Sequence, residues 1–395
     1  MFETAIIFLV SMWLISFPLS KKSSTREGFF ISSRSMGTTT LSFTLAATTI
    51  GGSAIVVSMK LIEKYGAFGI LIDIAGGLGL IVLSFTLASK IRETKSLTLP
   101  SILKKNLSKS GYKTISIALI IAEICWIALS IKGIQLLGNF SNIKLAVIVA
   151  LTLAYSLTGG QWSVSKTDII QFLLIVIGLG YYLFNPSGKT LTYKKLPDLF
   201  LIYLSTLMFL SHIIGPDIYS KLLSARDKVI AKKGAMLSGI LKLLFTILLL
   251  LAVKHGFSLN NTNLIIFIIV FSAIVSSIDS MLITSTSILC EDLLKIESKK
   301  GIKAVTVAVT LLSYLLAIYS SEIISLVSSG YTILLITITF PVLSFFLLRK
   351  IKSYTLFVPL IVFLIVFIFT KSMEYSFFLS LLSGGFALAY TKIYG

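Results

Sequence analysis

The sequence contains few charged residues and very little cysteine or histidine. Only 13% of its 395 residues are charged, and it has two cysteines and two histidines. Cys125 and Cys290 fall in separate apolar runs, which argues against a disulfide framework. His212 and His255 stand in no metal-binding spacing and no clustered catalytic set is evident, so we predict that the protein is not an enzyme. Because no Gly-x-x-x-x-Gly-Lys-[Ser/Thr] loop occurs, an ATP-driven pump is excluded.

Long hydrophobic runs dominate the chain instead. Hydrophobic residues make up 56% of it and the mean hydropathy is +0.97, which is typical of integral membrane proteins. A helix needs roughly 20 apolar residues to cross about 30 Å of hydrocarbon. The first run lacks the basic start of a signal peptide, so we interpret it as an anchor. The runs predict an all-α integral membrane protein with about 13 transmembrane helices, at 2–20, 38–63, 65–89, 114–138, 143–160, 162–184, 198–220, 234–254, 263–294, 303–319, 322–348, 354–370 and 375–393.

The basic residues lie in the short loops between these runs. A formal net charge of +19 raises the question of nucleic acid binding, but no basic face is present. This positive-inside pattern predicts a multi-pass protein of the cell membrane with its N-terminus outside, its C-terminus cytoplasmic and no nucleic acid partner. Lys189, Lys194 and Lys195 fit the pattern least well. The cytoplasmic clusters lie at 21–34, 90–113, 221–233, 295–303 and 349–352.

Two of the runs are interrupted at corresponding places. Gly51-Gly52 breaks the run 38–63, and Gly215-Pro216 breaks the run 198–220. Each broken run opens a block of five helices, and matched breaks indicate an inverted repeat with a binding site at its centre. The predicted organisation is an extra helix and loop at 1–37, a first five-helix repeat at 38–184, an inverted second repeat at 185–348 and two further helices at 349–395.

Two adjacent hydroxyls lie near the middle of the run 263–294. Ala273, Ser276 and Ser277 stand at i, i+3 and i+4 and therefore share one face of a helix. Hydroxyls in the centre of a bilayer are costly unless something bonds or coordinates them. Back-bonding to the preceding turn, or bonding to a neighbouring helix, is the simpler interpretation. An ion site requires a partner elsewhere in the chain.

Several motifs together resemble the sodium/solute symporter family, the group of the proline, pantothenate and sugar cotransporters. The resemblance implies a leucine-transporter-like fold, with a ten-helix core preceded by one helix and followed by two. The motifs, over about residues 20 to 350, are Leu45-Ala-Ala-Thr-Thr-Ile-Gly-Gly52, Tyr65-Gly66, Gly159-Gly160 with Thr167-Asp168-Ile-Ile-Gln171, Gly215-Pro216-Asp217-Ile-Tyr-Ser-Lys221 with Ala225-Arg226-Asp227, and Ala273-Ile-Val-Ser-Ser-Ile-Asp-Ser280 ending in Asp292.

The resemblance also implies a sodium site. Neutral oxygens at close range suit a hard monovalent cation, and a helix break frees backbone carbonyls. The implied ligands are the carbonyls of Ala47, Ile50 and Ala273 and the hydroxyls of Ser276 and Ser277. Asp168 matches a family carboxylate close to this site, although an acid that bonds amides at a helix start is an equal interpretation.

The solute cavity is less well defined by the sequence. Asp73 and Lys242 match an acid and a lysine of the sugar-transporting branch, and a buried pair is more tolerable than two isolated charges. Thr49 and Ser211 are further cavity candidates. Two positions where that branch presents an amide are apolar here, which disfavours a sugar.

The function predicted by this pattern is sodium-coupled symport of a small organic solute, an amino acid or carboxylate rather than a sugar. Sodium would be the coupling ion, without any other cofactor or obligate protein partner. A proton-coupled transporter is the alternative, followed by a channel-like or receptor-like membrane protein. The roles of Glu123 and Asp279, the oligomeric state and the solute itself stay open.

Overall fold

The computed structural model describes residues 1–185, 196–258, 263–319 and 323–394, and it describes only the backbone at 52–53 and 323–330. Lys189, Lys194 and Lys195 lie outside these ranges. The helices are α1 (Phe2–Ser16), α2 (Arg26–Ile31), α3 (Thr38–Thr49), α4 (Gly52–Tyr65), α5 (Leu71–Thr86), α6 (Ala88–Glu93), α7 (Leu99–Leu103), α8 (Lys109–Gly138), α9 (Asn142–Phe184), α10 (Leu199–Ile214), α11 (Pro216–Ser224), α12 (Lys228–Lys254), α13 (Leu264–Ile288), α14 (Lys299–Tyr319), α15 (Ile323–Leu348), α16 (Ser353–Thr370) and α17 (Met373–Tyr394). A π-helical turn, Leu289–Leu294, extends α13.

Within the described ranges, 11 helical stretches are long and apolar enough to cross a membrane. The difference from the predicted 13 arises in two stretches, Ala54–Thr86 and Asn142–Phe184, each of which joins two predicted helices. The second has 43 residues, and its length of about 65 Å is roughly twice the hydrocarbon thickness. Gly160, at φ 53° and ψ −141°, and Gly66, at φ 61° and ψ −139°, interrupt the two stretches. Positive φ with extended ψ is accessible to glycine alone at no steric cost, so the chain turns at these points.

The two predicted helix breaks are confirmed. α3 ends at Thr49, and Gly51 has φ −44° and ψ 152° before α4 begins. α10 ends one residue before Gly215, which has φ −63° and ψ 135°, and α11 begins with Pro216. Proline suits a first helical position because it has no N–H to leave unbonded. Each break frees carbonyls of the helix before it and N–H groups of the helix after it.

The start of α3 lies beside the end of α11. The Met36 N–H donates to the carbonyl of Ser224 at 3.0 Å, and the Arg226 N–H donates to the carbonyl of Met36 at 2.9 Å. One broken helix therefore begins at the level where the other ends. Directly after this contact, Asp227 caps α12 by accepting the N–H groups of Val229 and Ile230, each at 2.9 Å. These hydrogen bonds, above all the one from the Ile230 N–H, lower the pKa of the Asp227 carboxyl.

α13 lies at the centre of the molecule. In its most apolar 18-residue stretch 83% of the residues are buried, against 22% in that of α16. α13 packs on α3, α4, α8 and α9. α16 and α17 pack on each other and on α15 at the periphery. Large apolar side chains remain exposed on the outer helices, among them Phe85, Leu136, Phe184 and Phe369. An apolar perimeter around a polar centre is expected of a helix bundle whose solvent is lipid.

Candidate functional site

The break between α3 and α4 lies directly against α13. A Cβ atom on Gly51 would fall 2.1 Å from the Ser277 Oγ, so only glycine permits this approach without a shift. Ser277 Oγ itself donates to the Ala273 carbonyl at 3.2 Å. Ala47 and Ile50, at the end of α3, are fully buried in the same apolar cluster as Ala273. The structure thus brings the predicted sodium-site residues of α3 to the hydroxyl face of α13.

Asp168 is the centre of a buried polar network beside that face. Ser276 Oγ donates to its Oδ1 at 2.6 Å, and Lys221 Nζ lies 3.0 Å from its Oδ2. The Thr44 hydroxyl also donates to Oδ2 and accepts from Lys221 Nζ at 2.8 Å. These four side chains come from α3, α9, α11 and α13 and are at most 1% exposed. The partners of Asp168 are therefore side chains of other helices, and not the amides of a helix start.

The position of Lys221 corrects the sequence-based assignment of this residue to a cytoplasmic loop. It lies in α11 and is fully buried, and its ammonium is bound within the network around Asp168. The available signal was its place on the short helix that follows the break at Gly215, five residues after Pro216.

A second buried carboxylate, Asp279, lies on α13 about one turn after Ser276. The Tyr155 hydroxyl donates to its Oδ2 at 2.5 Å, and Ser280 Oγ lies 3.4 Å from its Oδ1. Ser280 in turn lies 3.1 Å from the Thr48 hydroxyl of α3. Asp279 interacts electrostatically with Asp168. Among the described residues, Lys221 supplies the ammonium that bonds Asp168, and it also interacts electrostatically with Asp279.

The structure also brings Asp73 and Lys242 together. The Nζ of Lys242 lies 3.4 Å from Oδ1 of Asp73, and both side chains are buried. The Ser58 hydroxyl donates to the other carboxylate oxygen, and Lys242 makes its shorter bond, 2.6 Å, to the Thr49 carbonyl. That carbonyl is one of those freed where α3 ends. Lys242 consequently ties the helix break to α5 and α12.

A cavity lies between the two helix breaks. The candidates Thr49 and Ser211 both line it, whereas Asp73 and Lys242 are not among the described lining residues. Sequence reasoning missed four lining residues with aromatic or ionisable side chains, and no local motif marks them as a set. They are Trp126 of α8, His212 of α10, Asp217 of α11 and Tyr331 of α15.

These features can be compared with those of known proteins. Residues 29–185 match the sodium:solute symporter family. The resemblance inferred from the motifs is thereby confirmed, and the matched part contains Thr44, Asp73 and Asp168. The positions on α11 and α13 lie beyond it.

A curated relative gives a second match. Over 165 residues, 40% of this chain, the sequence is 25% identical to the high-affinity choline transporter 1 of Caenorhabditis elegans. The aligned part spans 29% of the length of that relative.

Two solved structures share the fold. The substrate-bound, outward-open state of a Na⁺-coupled sialic acid symporter is similar with a TM-score of 0.82 at 16% identity, over 99% of this chain and 97% of the other. A closed conformation of a nucleobase-cation-symport-1 family transporter is similar with a TM-score of 0.54 at 14% identity, over 92% and 95% of the two chains. The predicted leucine-transporter-like class of helical membrane protein is confirmed.

Proposed function

We propose that the protein is a secondary active transporter that moves a small organic solute together with sodium by alternating access. The observation that carries this proposal is the contact between the break at Gly51 and the hydroxyl of Ser277. The broken end of α3 and the hydroxyl face of α13 meet there in the protein interior, where irregular backbone is tolerated only if it lines a cavity or binds an ion. The matched family model and the fold shared with a Na⁺-coupled symporter support the same function.

The proposed ion ligands are the ones implied by the resemblance, the carbonyls of Ala47, Ile50 and Ala273 and the hydroxyls of Ser276 and Ser277. The charges beside them favour a cation. Asp168 and Asp279 are buried carboxylates, and Lys221 supplies the one ammonium that is hydrogen-bonded to this pair within the described chain. With both carboxyls ionised, the pair carries one negative charge more than Lys221 compensates, and a monovalent ion bound nearby would balance it.

The membrane arrangement follows from the same proposal. The positive-inside pattern of the basic loops supports an N-terminus outside and a C-terminus in the cytoplasm. Alternating access requires the helices around the site to rock against one another while the site itself stays near the midplane. Gly51 lines the cavity, as do Ser211 and Asp217 on either side of the second break, and the two breaks supply the points about which these segments can move.

Proton coupling is the second candidate, and one observation favours it. Lys221 already holds one oxygen of Asp168, so a proton moving on and off this buried pair could replace sodium as the coupling ion. In that case the hydroxyls of Ser276 and Ser277 would serve only to join helices.

Proteoliposomes that contain the full chain distinguish the two candidates. A sodium gradient at equal pH, or a pH gradient without sodium, is imposed, and uptake of labelled amino acids, carboxylates, amines and sugars is measured. We expect uptake with the sodium gradient alone, and uptake with the pH gradient alone would contradict sodium coupling. Independently of any solute, NaCl should raise the unfolding temperature of the purified protein above its value in KCl at equal ionic strength.

A further inference from the structure

The cavity wall combines aromatic rings with an acid. The rings of Trp126 and Tyr331 lie 4.9 Å apart between centroids at an interplanar angle of 42°, and they come from α8 and α15. Both rings and the side chain of Asp217 line the cavity. Aromatic faces attract cations through the ring quadrupole, most strongly where water is excluded.

A second acid lies behind these rings. Glu123 stands three residues before Trp126 on α8 and therefore on the same helix face. It is 3% exposed, and its Oε2 has no hydrogen-bond partner among the side chains that the structure describes. It interacts electrostatically with Asp217 and with the hydroxyl of Tyr331, which places it at the same end of the cavity. A buried carboxylate oxygen without a partner is costly, and a bound cation would remove that cost.

The nearby ammonium groups are already engaged. Lys242 is paired with Asp73, and Lys221 is hydrogen-bonded to Asp168 although its charge also reaches Asp217. Among the described residues, neither Asp217 nor Glu123 forms an ion pair. This end of the cavity consequently holds two carboxyl groups without an ammonium paired to either of them among the described residues.

His212 does not supply a positive charge that would compensate these acids. It lines the same cavity, its Nδ1 lies 2.8 Å from the Met208 carbonyl, and it packs with Lys242 against Gly76. A second positive charge next to the Lys242 ammonium is unfavourable.

The start of α11 already carries an acidic side chain. Asp217 is the second residue of that helix, and a Cβ atom built on Gly215 would fall 2.8 Å from its Oδ1. A helix start behind a break is the place where a carboxylate of the solute would otherwise bind. The chain's own carboxyl group lies there, which disfavours a carboxylate of the solute at this position.

We propose that the solute is a compact organic cation, whose ammonium group packs against Trp126 and Tyr331 and is neutralised by Asp217 and Glu123. This inference rests on the proposed transport function and narrows its solute class. A quaternary ammonium and a primary ammonium share the required charge, and the rings favour the quaternary form because it is desolvated at lower cost.

Four probes test the charge requirement on the full chain in proteoliposomes and in detergent with sodium. Choline carries a quaternary ammonium and ethanolamine a primary one. 3,3-Dimethyl-1-butanol has the shape of choline without its charge, and acetate is a small anion. We expect uptake and thermal stabilisation by choline, by ethanolamine or by both, and none by the neutral isostere or by acetate. Binding of neither cation, or equal binding of choline and its neutral isostere, would overturn the inference.

Variants connect the result to the named residues. Asp217→Asn and Glu123→Gln should each raise the cation concentration needed for half-maximal uptake at least tenfold. Trp126→Leu should do the same, whereas Trp126→Phe keeps an aromatic face and should retain most of the affinity. Unchanged affinity in all of these would place the cation elsewhere. Stabilisation by sodium in the absence of solute is measured in the parent protein and in every variant. If sodium does not stabilise the parent protein, the transport proposal is overturned, and this outcome is distinct from a failure of the cation preference.

Discussion

The Nζ of Lys221 lies 3.0 Å from Oδ2 of Asp168, and both side chains are buried. Ser276 donates to the other oxygen of the same carboxylate. A proposed sodium ligand on α13 is therefore connected through Asp168 to a lysine on the second broken helix. Any movement of α11 must lengthen this ion pair or carry Asp168 with it, so the pair couples the state of the ion site to the position of α11.

Removal of the Lys221 ammonium should leave the buried Asp168 carboxylate without its ion-pair partner. We expect Lys221→Met to lower the free energy of unfolding by about 3–5 kcal/mol, the usual cost of breaking a buried pair. Sodium should stabilise this variant more than the parent, because it can replace the missing charge. Lys221→Arg keeps the charge and is the control. Thermal unfolding with and without sodium measures both effects, and equal sodium responses in parent and Lys221→Met would contradict the coupling.

Loss of the α13 hydroxyls should weaken sodium binding. Ser276→Ala and Ser277→Ala should each raise the sodium concentration for half-maximal uptake several-fold, since one oxygen is removed in each case. Ser285→Ala is the matched control, because Ser285 is buried on the same helix and its hydroxyl donates only to carbonyls of α13, at 2.7 and 3.2 Å. Similar effects at all three positions would show that these hydroxyls serve helix packing alone.

A side chain at Gly51 should push α3 and α13 apart. Its Cβ would fall 2.1 Å from Ser277 Oγ, so Gly51→Ala should lower both sodium affinity and transport rate. Gly180→Ala is the control, since no atom lies within 4 Å of the added Cβ, and alanine in a helix is favoured by about 0.5–1 kcal/mol. If sodium affinity in Gly51→Ala matches that of Gly180→Ala, the ion does not lie at this contact.

The Asp73–Lys242 pair can be tested by a double-mutant cycle. Asp73→Asn and Lys242→Met should each destabilise the protein, because each leaves a buried charge alone. The double variant should recover part of the loss, with a coupling of about 0.5–3 kcal/mol. Thermal unfolding of the detergent-purified variants measures the coupling. Additive losses would mean that the 2.6 Å bond from Lys242 to the Thr49 carbonyl is the interaction that matters.

Much of the architecture could be predicted from the sequence because it depends on local pattern. Apolar runs must become helices in lipid, since every backbone group has to be bonded within its own segment. The breaks at Gly51 and Gly215 follow from residues that release the chain from helical geometry, and both occur where the sequence places them. The shared face of Ala273, Ser276 and Ser277 likewise follows from helical periodicity alone.

The tertiary structure decided which side chains meet. The sequence assigns Lys221 to a loop, whereas in the structure it lies on α11 and pairs with Asp168. Glu123 belongs to no motif, and only the packing of α8 brings it near Asp217. Trp126 and Tyr331 belong to helices that are far apart in the sequence, so no local pattern predicts their contact. Charged and polar groups in lipid must find partners on other helices, and the choice of partner depends on how those helices pack. Helix formation is therefore readable from the sequence of each segment, whereas the charge balance of ion site and cavity is set only when α3, α8, α9, α11, α13 and α15 come together.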